Sequence, residues 1–234
     1  MGSANRPIGL SSGGSSAEIA APRLVNIVCD RKALPAACAN CCQRDSASCD
    51  LVPVDAITEL PFDPDEYDDK FAEYLVVRDP LTNRRMGSLR LLRTDRPHIL
   101  GSVFPDLCET PAPSGFSIRE VTQLCISPGL RLGERRMVSR QLASALVEYG
   151  LLTGITAYTT VMELIWSRQL MAMGWNCEPL GLGRPVGDTL LGAFQVHIDA
   201  STVGGLRAAG CYVPGKLEIV ERDNQASLFD SLAA

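Results

Sequence analysis

Strand-like and helix-like patterns alternate along this chain, and that alternation predicts an α/β fold, an α/β/α sandwich around a mixed central sheet. Three observations carry the prediction. Between Asp63 and Thr94 two apolar runs, Tyr74-Leu75-Val76-Val77 and Met86 to Leu92, flank the polar turn PLTNRR, which is the pattern of a hairpin. From Met137 to Leu152, apolar residues recur at helical spacing. The β-branched run ITAYTTV follows directly and reads as a strand.

Each element has its own signal. Residues 1–22 are rich in Gly, Ser and Ala and read as a flexible leader; from Leu24 to Asp50 the pattern is irregular. An acidic cluster, Asp63, Asp65, Glu66, Asp68 and Asp69, surrounds Tyr67 just before the hairpin. In the second hairpin strand, alternation places Ser88 and Arg90 on one face, Leu89 and Leu91 on the other. Thr94 to Cys108 predicts a loop with one helical turn, and Pro105, Pro111 and Pro113 exclude a longer element. FSIREVTQLCIS, Phe116 to Ser127, predicts a strand with Glu120 and Thr122 on one face, Val121 and Gln123 on the other. The long helix carries Met137, Leu142, Ala145, Leu146, Tyr149 and Leu152 on its apolar stripe and stops at Gly154. Strands then follow at Ile155 to Val161, Cys177 to Leu180 and Thr189 to Asp199, with helices at Glu163 to Met173 and Thr202 to Ala209. One domain over 23–212 with a tail over 213–234 is the expected organisation.

Composition narrows the class. The 234 residues carry a formal charge of −5, which argues against a nucleic-acid footprint. No apolar run reaches membrane-spanning length, no signal-peptide h-region opens the chain, and Arg6 breaks the myristoylation pattern. A soluble cytoplasmic protein is the expectation. Five of the nine cysteines, Cys29, Cys38, Cys41, Cys42 and Cys49, crowd one stretch, and Cys38-x2-Cys41 has zinc-like spacing. No second CxxC completes a ligand set, and the only histidines, His98 and His197, are distant. Free thiols without metal are therefore favoured over a zinc site.

The residues near the acidic cluster suit a small zwitterion. Carboxylates suit a cationic group, and Arg90 suits a carboxylate on the same molecule; a solvated polar face is the alternative. The strand to Ser127, the loop holding Arg131 and Gly133, and the helix after it fit the acyl-carrier end of an N-acetyltransferase-like fold, where helix-start amides meet a phosphate or pantetheine chain. Without further support a basic turn before a helix explains the same residues.

Several motifs in order supply that support. DEYD, YLVVRD, GSLRLL, PHILGSVFP, ALVEYGLLTGITAYTTV, RQLMAMGW and LGAFQVHID, spanning Val52 to Tyr212, resemble the acyl-homoserine-lactone synthases, the bacterial autoinducer synthase family. The resemblance implies transfer of an acyl chain from acyl carrier protein to the amine of S-adenosylmethionine, then lactone closure with release of methylthioadenosine. It implies no cofactor, with S-adenosylmethionine as substrate. Asp65 and Asp68 match the acidic pair that shapes the adenosylmethionine site, and Arg90 matches an arginine that binds substrate or pairs with those acids. Glu120 matches the glutamate taken as base; because it follows Arg119, a surface ion pair is the competing assignment. Thr159 or Thr160 is a candidate to contact the acyl carbonyl, the strand register being open between them. Ile155, Tyr158, Thr159, Met162 and Trp166 are candidates to line the acyl slot, with core packing the better assignment for Ile155 and Met162. Arg131, Arg135, Arg136, Arg140 and Arg168 form a basic set on an acidic protein, suited to docking the acidic acyl carrier protein or to solvation.

Two departures from the family pattern stand out. Where the family has E-x-x-R, this chain has Gln123, which substitutes a neutral hydrogen bond for a charged one at a cost of about 1–2 kcal/mol. The aromatic lid, Arg…Phe…Trp-Asp in the family, is reduced to Asp50 preceded by Cys49, with no phenylalanine before Phe62. Gln123 and the Cys-rich start favour two rivals: an acyltransferase using acyl-coenzyme A or a different amine, and a silent homologue that binds a partner, a metal or an acyl ligand without turnover.

Overall fold

The computed structural model describes residues 66–69 and 71–219 together with the backbone of Arg23–Val28 and of Val220. The leader, the five-cysteine stretch, Asp50 and Asp65 lie outside the described residues.

Nine strands form one mixed sheet among the described residues. They are β1 (Arg23–Val28), β2 (Glu73–Arg78), β3 (Arg85–Arg93), β4 (Ile118–Ile126), β5 (Ala157–Glu163), β6 (Asn176–Pro179), β7 (Arg184–Val186), β8 (Thr189–His197) and β9 (Lys216–Val220). The strand order is β6-β8-β5-β4-β3-β2-β1-β9, with β7 paired to β8 outside this path. Two pairs are parallel, β1 with β2 and β4 with β5; the others are antiparallel. The predicted hairpin is β2–β3, and period-two alternation sorts its side chains. Leu75, Val77, Leu89 and Leu91 enter the main core, while Tyr74, Val76 and Leu92 form a second cluster on the opposite face.

One face is covered by α2 (Leu132–Thr153) and α4 (Thr202–Ala208). The buried stripe of α2 is Val138, Leu142, Ala145, Leu146 and Tyr149. Met137 and Leu152, expected on that stripe, lie off it, and Leu152 is exposed. Gly154 ends the helix at φ 76°, a left-handed conformation in which a side chain would clash with the next carbonyl. The opposite face is covered more thinly, by α1 (Ile99–Ser102) and a 3-10 turn over Pro105–Leu107, the helical turn expected between Thr94 and Cys108.

The remaining differences are local. The helix expected from Glu163 to Met173 is a 3-10 turn, Leu164–Trp166, running into α3 (Ser167–Met171), with Glu163 still in β5. Strands β1 and β9 fall in segments read as irregular and as tail, and β7 in a stretch between two expected strands to which no element was assigned. No helix among the described residues is long and apolar enough to cross a membrane.

Candidate functional site

The site occupies the thinly covered face. Arg90 points there from the centre of β3 and is 0 % exposed, so its charge demands partners. Its Nη1 donates to Asp68 Oδ1 at 2.8 Å and its Nε to Thr122 Oγ1 at 2.9 Å. Tyr74 donates its hydroxyl to the same Asp68 oxygen. Asp68 therefore stands in a buried network rather than on a hydrated turn. Arg90 is turned toward Asp68, the pairing alternative of the sequence reading.

Glu120 lies across the sheet on the same face. Arg119 points the other way along the strand and pairs with Glu73 at 3.3 Å, which removes the surface-pair assignment for Glu120. Glu120 is fully buried, and its Oε1 accepts the N–H of Leu100 in α1 at 2.8 Å. Its Oε2 has no partner among the described residues. Burial raises the carboxyl above the ordinary glutamate range; the Leu100 and Ile99 amides, His98 and the Arg90 guanidinium pull it back. Such a carboxylate is a stronger base than a solvated one.

β4 and β5 create the space in front of it. They pair from Ile118↔Ala157 to Val121↔Thr160 and then part, although both strands continue. Against β3, two β4 residues, Gln123 and Leu124, oppose the single Leu89, which is a β-bulge. Gln123 takes φ 46° there, a left-handed conformation that costs a residue with a side chain about 1–2 kcal/mol. Simple alternation put Gln123 opposite Glu120; the bulge breaks the period, and Gln123 joins Glu120 and Thr122 around one cavity of about 420 Å³. Phe104, Val121, Val161, Met162, Trp166 and Leu191 supply much of its apolar wall.

The parallel register settles the two threonines. Thr159 sits beside Glu120, fully buried, with an Oγ1 that has no partner among the described residues. Thr160 instead donates to the Val121 carbonyl at 3.2 Å. Of the other slot candidates, Met162 and Trp166 line the cavity, whereas Ile155 and Tyr158 belong to the core under α2. Tyr158 donates to the Leu146 carbonyl at 2.8 Å, a buried anchor that fixes it there. Met162 is thus a correction, because a core place was expected for it. Phe104, Val161 and Leu191 escaped the sequence reading; only the PHILGSVFP motif brought Phe104 into view.

The basic residues are spread. Arg131 precedes α2, its N–H donating to Glu134 Oε2 at 2.9 Å. Arg135 and Arg136 are half-buried in the first turns of α2, and Arg135 reaches the Ser127 carbonyl at 3.4 Å. Arg168 is exposed on α3, a different element. The structure therefore brings together Asp68, Arg90, Glu120, Gln123 and Thr159 on one face, with Arg131, Arg135 and Arg136 at the helix that follows β4. Among the described residues no three His, Cys, Asp or Glu side chains gather to hold a metal ion.

A second hollow has a volume of about 410 Å³. Glu66, Tyr67, Asp69, Phe71, Arg93 and Arg96 are among its walls. The Arg96 guanidinium stacks on Phe71 at 3.8 Å and meets Asp69 at 3.5 Å, so its charges are largely balanced.

Residues 56–204 match the family model described as autoinducer synthase. An acyl-homoserine-lactone synthase of Aliivibrio fischeri is 29 % identical over 130 residues, which is 54 % of this chain and 67 % of that protein. The isovaleryl-homoserine lactone synthase of Bradyrhizobium diazoefficiens is 31 % identical over 141 residues, 59 % of this chain and 62 % of that protein. Among solved structures, a coenzyme-A-dependent acyl-homoserine lactone synthase, BjaI, holding SAM and isopentyl-CoA, superposes with a TM-score of 0.57 at 28 % identity. That match covers 63 % of this chain and 68 % of that one. The matched segment thus spans about two thirds of the length of these relatives.

Proposed function

The chain belongs to the autoinducer synthase family, and we propose that it makes an N-acyl-homoserine lactone from S-adenosylmethionine and an acyl thioester carried on acyl carrier protein. The observation that carries this reading is Glu120, a buried carboxylate with one oxygen anchored and the other, also buried, without a partner among the described residues, in the lining of a cavity formed where two parallel strands part.

In this reading Glu120 removes a proton from the substrate amine, directly or through a water, and the freed nitrogen attacks the thioester carbonyl. A C–N bond forms, the C–S bond breaks, and the thiolate leaves with a proton. Thr159 is proposed to donate its hydroxyl to the acyl carbonyl. The apolar wall of Phe104, Val161, Met162, Trp166 and Leu191 takes the acyl chain, burying apolar surface. The substrate carboxylate then displaces methylthioadenosine from its own γ-carbon and closes the lactone. Asp68 and Arg90 hold the sheet face that carries this chemistry, and Asp65 is the remaining acidic residue proposed for the adenosylmethionine site. Gln123, at the cavity, offers a neutral hydrogen bond to the substrate. Arg131, Arg135, Arg136 and Arg168 are proposed to dock the acidic carrier protein.

A second reading keeps the site and changes the donor to an acyl-coenzyme A. The BjaI structure, described as coenzyme-A-dependent, favours it. The deciding experiment supplies S-adenosylmethionine with each donor, matched for acyl chain, and measures lactone by mass spectrometry. Carrier-protein dependence supports the first reading; equal or better yield from coenzyme A thioesters replaces it with the second. Lactone from neither donor overturns both.

A further inference from the structure

The turn that carries Trp166 to the cavity is seated on two glycines. β5 ends at Glu163, and the chain folds at once into the 3-10 turn Leu164–Trp166. The Ser167 hydroxyl donates to the Leu164 carbonyl at 2.7 Å and closes that turn. Leu164 is only partly buried, yet each of its methyls lies where the β7–β8 hairpin lacks a side chain. A Cβ built at Gly192 of β8 would stand 2.5 Å from Leu164 Cδ2 and 3.2 Å from Phe194 Cε2. A Cβ built at Gly183, just before β7, would overlap Leu164 Cδ1 and stand 3.0 Å from the Leu191 carbonyl oxygen. Neither glycine has a positive φ, so space rather than backbone conformation requires glycine at both positions.

The same few residues build the notch and the cavity wall. Gly192 pairs with Met162 across β5 and β8, and Leu191 pairs with Glu163. Met162, Glu163, Leu191 and Trp166 all line the cavity. Trp166 is 49 % exposed, so its own burial fixes it weakly. Its place against the cavity follows from the turn it ends, and the start of that turn is Leu164. A leucine whose two methyls fit over two glycines is held at short range by close packing, and such a fit tolerates neither added nor lost volume without a shift.

We propose that Leu164 is a positioning residue for donor selection: seated in the notch left by Gly183 and Gly192, it holds Trp166 as a fixed wall and so sets the length of acyl chain that the cavity takes. This rests on the reading of the cavity as the acyl slot. A leucine that merely filled the notch would add stability and leave the choice of donor untouched.

The test uses the full chain labelled with fluorotryptophan and read by ¹⁹F nuclear magnetic resonance, beside kcat/KM for acyl thioesters of graded length. The chain has two tryptophans. Trp175, whose Nε1 donates to the Leu170 carbonyl at 2.8 Å, is the internal reference, and Trp166→Phe assigns the other signal. In Leu164→Ala the Trp166 signal should shift while Trp175 holds, and the preference for the best donor over one two methylenes longer should fall by about tenfold. Leu164→Met, which conserves volume, should restore both. Gly192→Ala should act as Leu164→Ala does, and should add nothing when combined with it, because the atom that the new methyl meets is then gone. An unshifted Trp166 signal, an unchanged donor preference, or an equal effect of Gly192→Ala with and without the leucine overturns the proposal. If Gly192→Ala does not fold, Leu164→Ala and Leu164→Met decide alone. The fluorine signals need no turnover, so a Trp166 signal that follows Leu164 in a chain making no lactone from any donor would sink the synthase reading and leave the anchor intact.

Discussion

Glu120 shows how burial and function oppose one another in a single residue. Its carboxyl titrates above the ordinary glutamate range because burial disfavours the charge. The unfolded chain releases that proton at lower pH than the folded one. Glu120 therefore favours the fold below the unfolded value, and that contribution is lost as pH rises through the folded one. Glu120→Gln keeps an oxygen for the Leu100 amide and removes the buried charge. At pH 8 it should unfold at the same temperature or up to about a few degrees higher, by calorimetry, while turnover falls by about 10²–10⁴-fold. A variant that is both inactive and less stable would mean that the carboxylate is structural. Asp68→Ala should behave in the opposite sense. It removes the carboxylate that pairs with Arg90, which is 0 % exposed, and an acceptor of the Tyr74 hydroxyl. A loss of about 3–5 kcal/mol in urea unfolding is expected, because the charge left behind has no solvent.

At the scale of elements, the parting of β4 and β5 makes the cavity, and it is a feature of register rather than of residue type. Met162→Trp adds bulk to one wall of a space of about 420 Å³. It should raise KM for long acyl donors by about tenfold while leaving short ones within about twofold, a loss on the scale of one or two methylenes of pocket contact. Equal effects on all chain lengths would place the acyl chain elsewhere. The same scale explains what could be read in advance. The β2–β3 hairpin, β4, α2 and β5 were legible because each carries its own periodicity and a stop signal. Glu120 and Thr122 followed from alternation, whereas Gln123 did not, because a bulge adds a residue without any mark in composition. Strands β1, β7 and β9 are short edge or near-edge pieces whose evidence is their partner, not their pattern. The Glu163–Met173 helix shortened because β5 runs on to Glu163 before the chain turns.

Over the whole molecule, an acidic chain of net charge −5 carries Arg131, Arg135 and Arg136 at the start of the helix that follows β4. If these dock a carrier protein, replacing Arg131, Arg135 and Arg136 together by Glu should raise KM for an acyl carrier protein by about tenfold or more, with kcat nearly unchanged. The penalty should shrink with added salt. The same variant should treat a small thioester such as an acyl-pantetheine like wild type, and equal losses on both donors would contradict docking. Whichever donor is used, the proposed role of the buried Glu120 carboxylate beside the cavity is to drive acylation of S-adenosylmethionine. It is tested most directly by methylthioadenosine release, followed by chromatography, from folded wild-type protein and from Glu120→Gln. Release that requires both S-adenosylmethionine and an acyl thioester, and that falls at least about a hundredfold in the variant, is the predicted result. Release that ignores the thioester, equals that of the variant, or is absent from folded wild type with every donor would contradict it.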